Sequence, residues 1–338
     1  SIRSRYALKL LGGALLIGLL ITAITATTVV DVTNSVRDEQ LRSMETNAEL
    51  EANALAQWIE GNQQTIRALS SHQGLDPSAP GETAAVLARE REALSAEVAT
   101  LSVVERSPAT FSEGTDERIL ASTEPSYVGR SLSVTDVNWK PTVGFNFNST
   151  DEVILSWVYT DESEALVAVA SPTPDGDHVL VGEYRTDVQA ESFTSVIDGT
   201  KTQVLGGFTA FVLFDQNETN VITPYEGDRA NTTIGSRILD TDPGAELNGS
   251  VLTEHSVKGY HSVPGEAVDW VVVKEAPRQN ALAVSESIRG DLTTLVGITL
   301  LGFLLIGVVI ERGPIRSIQR LARQAADMAD GELTVEIA

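Results

Sequence analysis

The feature that most constrains this chain is a pair of long apolar runs, one near each end. Residues Ala7 to Val30 read ALKLLGGALLIGLLITAITATTVV, with Lys9 as the only charge. As a helix rising 1.5 Å per residue this run reaches about 36 Å, against a hydrocarbon core of roughly 30 Å. Leu292 to Ile310 (LTTLVGITLLGFLLIGVVI) carries no charge and reaches about 28 Å. A cleaved signal peptide has a shorter apolar region and a small-residue cleavage motif. The first run is long and flows into a helical pattern without a break, so both runs are expected to be transmembrane helices, with lipid as partner. Arg3, Arg5 and Lys9 flank the first, and Arg312, Arg316 and Arg320 follow the second. The excess of Arg and Lys on these sides puts residues 1–6 and 311–338 in the cytoplasm and residues 31–291 outside a cell membrane crossed twice.

Charge separates the same segments. The net charge is −23, and residues 31–291 hold 42 acidic side chains against 17 basic ones. So negative a field repels nucleic acid, whose binding needs a basic face. Only five of the basic residues are Lys, against 19 Arg. A dense carboxylate shell poor in lysine suits a halophilic source, because molar salt screens the repulsion between like charges. Cysteine is absent, which excludes disulfides and thiolate metal sites. Four Asn-x-Ser/Thr sequons, at Asn148, Asn217, Asn231 and Asn248, all fall in the outside segment and are glycosylation candidates there.

From Val32 the pattern is helical. Val32, Val36, Leu41, Met44, Ala48, Ala52, Leu55, Ile59, Ile66 and Leu69 recur mostly at three- and four-residue steps to about Ser70. This stripe is a packing seam against a partner subunit or against the domain itself. His72 to Thr83 breaks the helix, and Ala84 to Val104 is expected to resume it. Strands follow: Arg118 to Ser122, Val153 to Tyr159, Ala165 to Ala170 and His178 to Glu183, with Pro174-Asp175-Gly176-Asp177 as a hairpin turn. Asp187 to Ile197 reads as a short helix. A second strand set covers Phe208 to Phe214, Val221 to Thr223, Ser250 to Lys258 and Trp270 to Lys274, ended by Pro277, and Ala281 to Asp291 returns to helix.

A long helix followed by two antiparallel half-barrels is an α+β arrangement. In this order of elements the chain resembles the double Cache sensor domains, two PAS-like modules threaded on one helix. The resemblance rests on RILASTEPSYVG at 118–129, FTAFVLFDQNETNVITP at 208–224 and DWVVVKEAP at 269–277. It implies a distal module at about 75–185 and a proximal one at about 203–276. After the second run, Pro314 opens a helix whose Ile318, Leu321, Ala325 and Met328 step by three and four residues, and Gly331-Glu332-Leu333 ends it. This resembles the first half of a HAMP domain, and those residues would form its signal relay; a generic amphipathic juxtamembrane helix is the alternative.

No pattern of a nucleophile with a base appears, the four histidines lack metal-ligand spacing, and Gly206-Gly207 lacks the Lys-Ser/Thr of a phosphate loop. His255 and His261 are expected to be solvated. Neither an enzyme nor a cofactor is expected. For a ligand the double Cache resemblance directs attention to the distal module. There Trp157 and Tyr159 share a strand face by alternation, Asp161 follows, and Tyr184 and Arg185 end a later strand. Aromatic walls with one acid and one base would suit a zwitterion; the alternative is that Trp157 is core. The Arg-x-Trp-Tyr signature of amino-acid-binding members is missing. The expected protein is the sensor half of a homodimeric methyl-accepting chemotaxis transducer from a halophilic archaeon. It would take a small molecule, or a protein carrying one, outside and pass a signal to cytoplasmic proteins. A sensor histidine kinase with the same front end, or a glycosylated surface protein without signalling, are the rivals.

Overall fold

Met44, Ala48, Ala52, Leu55, Ile59 and Ile66 are buried, and their spacing by three, four and seven places them on one stripe of a helix. That helix, α1, runs Ile2–Ser70. The structure, a computed structural model, describes residues 2–106, 118–131, 147–161, 164–193, 197–206, 211–215, 223–224, 234, 245–265, 268–310, 321, 323 and 325. The chain divides into two units, Ser1–Glu39 with Leu282–Ala338, and Gln40–Ala281.

In the second unit α1 ends where the Ser70 hydroxyl bonds the Arg67 carbonyl and lies 3.2 Å from Ser171 Oγ. Asp76 then turns the chain by accepting from the Ser78 amide and hydroxyl. Those two bonds hold its carboxyl below the ordinary range. Helix α2, Pro80–Ala93, opens with proline in its first turn, where no amide donor is needed. The helix expected over 84–104 stops here. Val98–Glu105 is instead strand β1, its β-branched valines favouring the extended backbone.

The first sheet adds β2 (Ile119–Ser122), β3 (Ile154–Leu155), β4 (Tyr159–Asp161), β5 (Glu164–Pro172) and β6 (His178–Arg185). Its order is β2-β1-β6-β5-β3, with β4 also on β5, and every pairing is antiparallel. The expected hairpin joins β5 to β6, with Gly176 at φ +76°, a conformation glycine adopts without strain. Partial burial works against the Asp175 charge. Bonds from Thr173, His178 and the Asp177 amide outweigh it and lower that carboxyl's pKa. The run 153–159, expected as one strand, is divided into β3 and β4, because the Ser156 hydroxyl takes the Ala168 amide in place of a backbone partner. Helix α3, Thr186–Glu191, is shorter than the 187–197 expected.

The second sheet runs β10-β11-β12-β7-β8-β9. Its strands are β7 (Lys201–Gly206), β8 (Phe211–Asp215), β9 (Thr223–Pro224), β10 (Asn248–Leu252), β11 (Ser256–Ser262) and β12 (Trp270–Pro277). Two expectations change. Residues 201–206 form a central strand that was not anticipated. Residues 250–258, read as one strand, fold back as a hairpin in which Thr253 Oγ1 takes the Ser256 amide. His261 lies in β11 with its side chain 12% exposed, so it is not solvated as expected. Short helix α4 (Arg278–Ala281) and helix α5 (Ala283–Ile310) follow.

One face of each sheet rests on α1. Leu101, Val103, Val167, Val169 and Leu180 of the first sheet and Val204 and Val272 of the second join Ala52, Leu55, Ile59 and Ile66 in one core. The stripe of α1 is thus filled by the protein's own sheets. Two glycines permit the close approach: a Cβ on Gly259 would overlap the backbone of Met44, and one on Gly182 would overlap Ile66 Cδ1. Lys274 Nζ on β12 donates to Glu51 Oε1 on α1 at 2.9 Å, both side chains being buried.

In the first unit, Leu16, Leu20, Ile24 and Val30 of α1 and Leu295, Ile298, Leu301 and Leu305 of α5 are exposed. Among the described residues no helix is long and apolar enough to cross a membrane. Both apolar runs, 7–30 and 292–310, include positions whose side chains lie outside the described residues.

The glycine contacts differ in what can yield. Gly259→Ala meets backbone and is expected to cost about 3 kcal/mol, whereas Gly182→Ala meets a swinging methyl and should cost about 1 kcal/mol. Denaturant unfolding of the two variants in molar KCl tests that order; equal costs would mean that α1 is not seated on Gly259.

Candidate ligand site

On the side of the first sheet away from α1, Val104, Ile119, Ala168, Ala170, Val179 and Val181 form a second buried cluster, with Tyr127, Phe147 and Tyr159 packed against it. Strand alternation puts Thr100, Ser102 and Glu183 on this face as well, and a register shift in β2 brings Ser122 onto it opposite Ser102. Ser102 pairs with Ser122 across β1 and β2, their hydroxyl oxygens 2.9 Å apart. Glu183 is 2% exposed. Its Oε1 accepts from the Tyr159 hydroxyl at 2.6 Å, and its Oε2 accepts from the Thr100 hydroxyl across the β1–β6 pair. A carboxylate so deep needs such donors, because burial without them costs several kcal/mol, on the order of the loss of its hydration. Ala168 stands opposite Glu183 on β5. The result is an apolar floor with a charged, hydroxyl-ringed end, the composition of a small-molecule site.

The residues expected here divide. Tyr159 packs on this face, its hydroxyl donating to Glu183. Trp157, between β3 and β4, is 56% exposed and so is not core. Asp161 ends β4, and its side chain lies outside the described residues. Arg185 shares the Glu183 face by alternation; its Nε binds Glu164 Oε2 at 2.8 Å and an Nη binds the Ala96 carbonyl. Tyr184 faces α1 instead, 1% exposed, its ring edge-on to Trp58 at 6.3 Å. Consecutive residues of a strand point to opposite faces, so Tyr184 and Arg185 cannot both line one pocket. Glu183 was missed. Its signal was a lone acid closing the β-branched run HVLVG, in phase with Val179 and Val181.

Of the sequons, Asn148 is exposed, with Nδ2 donating to Glu152 Oε1 at 3.3 Å, and Asn248 is exposed at the start of β10. Asn217 and Asn231 lie outside the described residues. So do Pro314, Ile318, Met328 and Gly331; Leu321 and Ala325 are helical and exposed.

No protein-family profile matches the chain. Among curated proteins, transducer protein CosT of Halobacterium salinarum is 29% identical over 318 residues, covering 91% of this chain and 38% of that protein. Transducer protein BasT of the same species is 27% identical, covering 86% and 35%. Transducer protein Htr18 is 24% identical, covering 90% and 35%. Halobacterial transducer proteins are homologues of this chain. The chain spans little more than a third of their length. Among solved structures, the periplasmic sensory domain of the Campylobacter jejuni chemoreceptor Tlp1 matches with a TM-score of 0.53 at 10% identity, covering 73% of this chain and 98% of that one. The extracellular domain of the putative histidine kinase soHK1S-Z6 matches with 0.51 at 17% identity, covering 74% and 98%. The α+β fold is therefore one shared with the sensory domains of receptors.

Burial, and after it the charge of Glu97, push the Tyr184 hydroxyl well above its ordinary value of 10.0. A raised value keeps the folded state protonated where the unfolded chain ionises. The contribution is therefore complete below the unfolded value and is lost as pH climbs past it. Tyr184→Phe should flatten the alkaline decline, measured by denaturant unfolding between about pH 9 and 12; an unchanged slope would assign that decline to other tyrosines.

Proposed function

We propose that this chain is the sensing half of a membrane transducer, with residues 31–291 outside the cell and the ligand bound on the Glu183 face of the first sheet. The observation that carries the reading is homology to transducers over nine-tenths of the chain, joined to a fold shared with receptor sensory domains. In this reading the modules at about 75–185 and 203–276 are distal and proximal double Cache modules. Residues 7–30 and 292–310 span the membrane, and 311–338 begin a HAMP relay to cytoplasmic partners. The hydroxyls of Thr27, Thr28, Thr294 and Thr299 each donate to a carbonyl three or four residues back. Such bonds satisfy a polar side chain inside hydrocarbon, where no water can. Exposed leucines on both helices fit the same surroundings. The first reading is favoured over a kinase front end by the transducer homologues themselves.

The test is thermal-shift screening of the whole chain in lipid nanodiscs and molar KCl against a metabolite panel. A ligand of this site raises the midpoint in the parent and does so at least tenfold less tightly in Glu183→Gln and Tyr159→Phe, a loss of about 1.4 kcal/mol. A shift that survives both substitutions would place the ligand elsewhere, and no shift with any compound would favour sensing through a binding protein.

A homodimer is part of the proposal. Leu50, Ala54, Gln57, Gly61, Gln64 and Ala68 are exposed on α1, step by four and three, and carry no charge. A heptad-spaced, uncharged strip on so acidic a protein is where two copies meet with least repulsion. The parent has no cysteine, so Gly61→Cys reports directly. It should form a disulfide-linked dimer under mild oxidation, while Asp177→Cys on a hairpin should not; bridging needs Cα atoms within about 7 Å.

A further inference from the structure

Among the described residues three buried side-chain atoms make no hydrogen bond: Asn62 Nδ2, Tyr184 Oη and Thr202 Oγ1. All three lie where α1 meets a sheet. The Tyr184 ring packs edge-on to Trp58, and two residues before it Gly182 lies under Ile66. Trp58, Asn62 and Ile66 are spaced by four on α1. Asn62 therefore sits between the two helix residues that hold the Tyr184–Gly182 stretch. On the second sheet Thr202 stands cross-strand from Lys274, and Lys274 from Gly259, the glycine beneath the Met44 backbone. On the first sheet the unmatched hydroxyl is thus two residues from a glycine notch, and on the second it is two strands from one.

Leaving a buried donor or acceptor unmatched costs about 1–3 kcal/mol, and folded proteins rarely leave one without a role. Asn62 Nδ2 is a donor and Tyr184 Oη can accept, so the pair is complementary in chemistry and adjacent in position. The observed seat is held by other contacts, namely Ile66 in the Gly182 notch and the bond from Trp58 Nε1 to Glu97 Oε2 at 2.9 Å. We infer that α1 has a second seat on the first sheet, in which the Asn62 amide donates to the Tyr184 hydroxyl and the Trp58–Glu97 bond is released. Each seat satisfies one pair of polar groups and leaves the other pair unmatched, so the two compete and their balance can be biased. Packed helices move between such seats by shifts of about 1–2 Å. A receptor helix with two seats can be biased by a ligand on the opposite face of the same sheet.

The test reads helix position and needs no ligand, so its failure is distinct from failure of the sensing proposal. Nitroxide labels on Glu49→Cys of α1 and Asp177→Cys of the β5–β6 hairpin are placed in the otherwise cysteine-free chain. It is diluted with unlabelled chain in nanodiscs, and the distance is measured by pulsed electron resonance. Trp58→Phe removes the bond that holds the first seat and should shift the distance by about 2 Å. Adding Tyr184→Phe removes the acceptor of the second seat and should return it to the parent value. Tyr184→Phe alone should leave the distance unchanged and, by removing a buried hydroxyl without a partner, should raise the melting temperature. The inference is overturned if Trp58→Phe leaves the distance unmoved, if the shift persists in the double variant, or if a high-resolution structure shows an ordered water bridging Asn62 and Tyr184.

Discussion

Everything in the second unit depends on α1 lying close enough to two sheets to be the core of both. Such an approach is not a generic hydrophobic contact. At Gly259 the helix backbone itself occupies the space a side chain would need, and at Gly182 a single methyl does. Between them Glu51 meets Lys274. A buried ion pair adds little net stability against a well-packed apolar substitute, yet breaking it leaves a buried charge without its counterpart. Glycine notches set how near the helix comes; the ion pair ties it to the second sheet.

Because α1 takes one face of each sheet, the opposite faces are left for other work. In the first sheet that opposite face carries Glu183, Thr100, Ser102 and Ser122 among small apolar residues. Of these, Glu183, Ser102 and Ser122 are buried and Thr100 is partly buried. The hydroxyl bonds to Glu183 come from Thr100 and Tyr159, on β1 and β4. The carboxyl group therefore lies where the central strands and the β4 edge converge.

How far this was legible follows from what is local. The α1 stripe and the β5–β6 hairpin are written in spacing and in turn residues a few positions apart, and both were readable. Strand β1 was not, because Val98, Leu101 and Val104 are three apart and mimic a helix face; only pairing with β2 and β6 decides otherwise. The β10–β11 hairpin hid because Thr253-Glu254-His255 holds neither Gly nor Pro, its turn being closed by the Thr253 hydroxyl. Glu183 was passed over for a similar reason. Its burial is made by residues 24 and 83 positions away, so nothing near it in sequence marks it. Tyr184 and Arg185 have suitable chemistry, but the alternation that groups Trp157 with Tyr159 separates these two onto opposite faces.

The scarcity of lysine acquires a sharper meaning in this light. Of five lysines in the chain, Lys258 and Lys274 are fully buried, each beside a glutamate, Lys258 Nζ lying 3.7 Å from Glu275 and Lys274 Nζ 2.9 Å from Glu51. Salt at molar strength shortens the Debye length to about 3 Å, which removes the repulsion within an acidic surface and equally removes the attraction within exposed ion pairs. Buried pairs are screened far less. Lys258 and Lys274 thus lie where ionic strength reaches least, whereas Lys201, which opens β7, is exposed. The Lys274–Glu51 pair that ties α1 to the second sheet is of that kind, so this contact is insulated from the salt around the acidic surface.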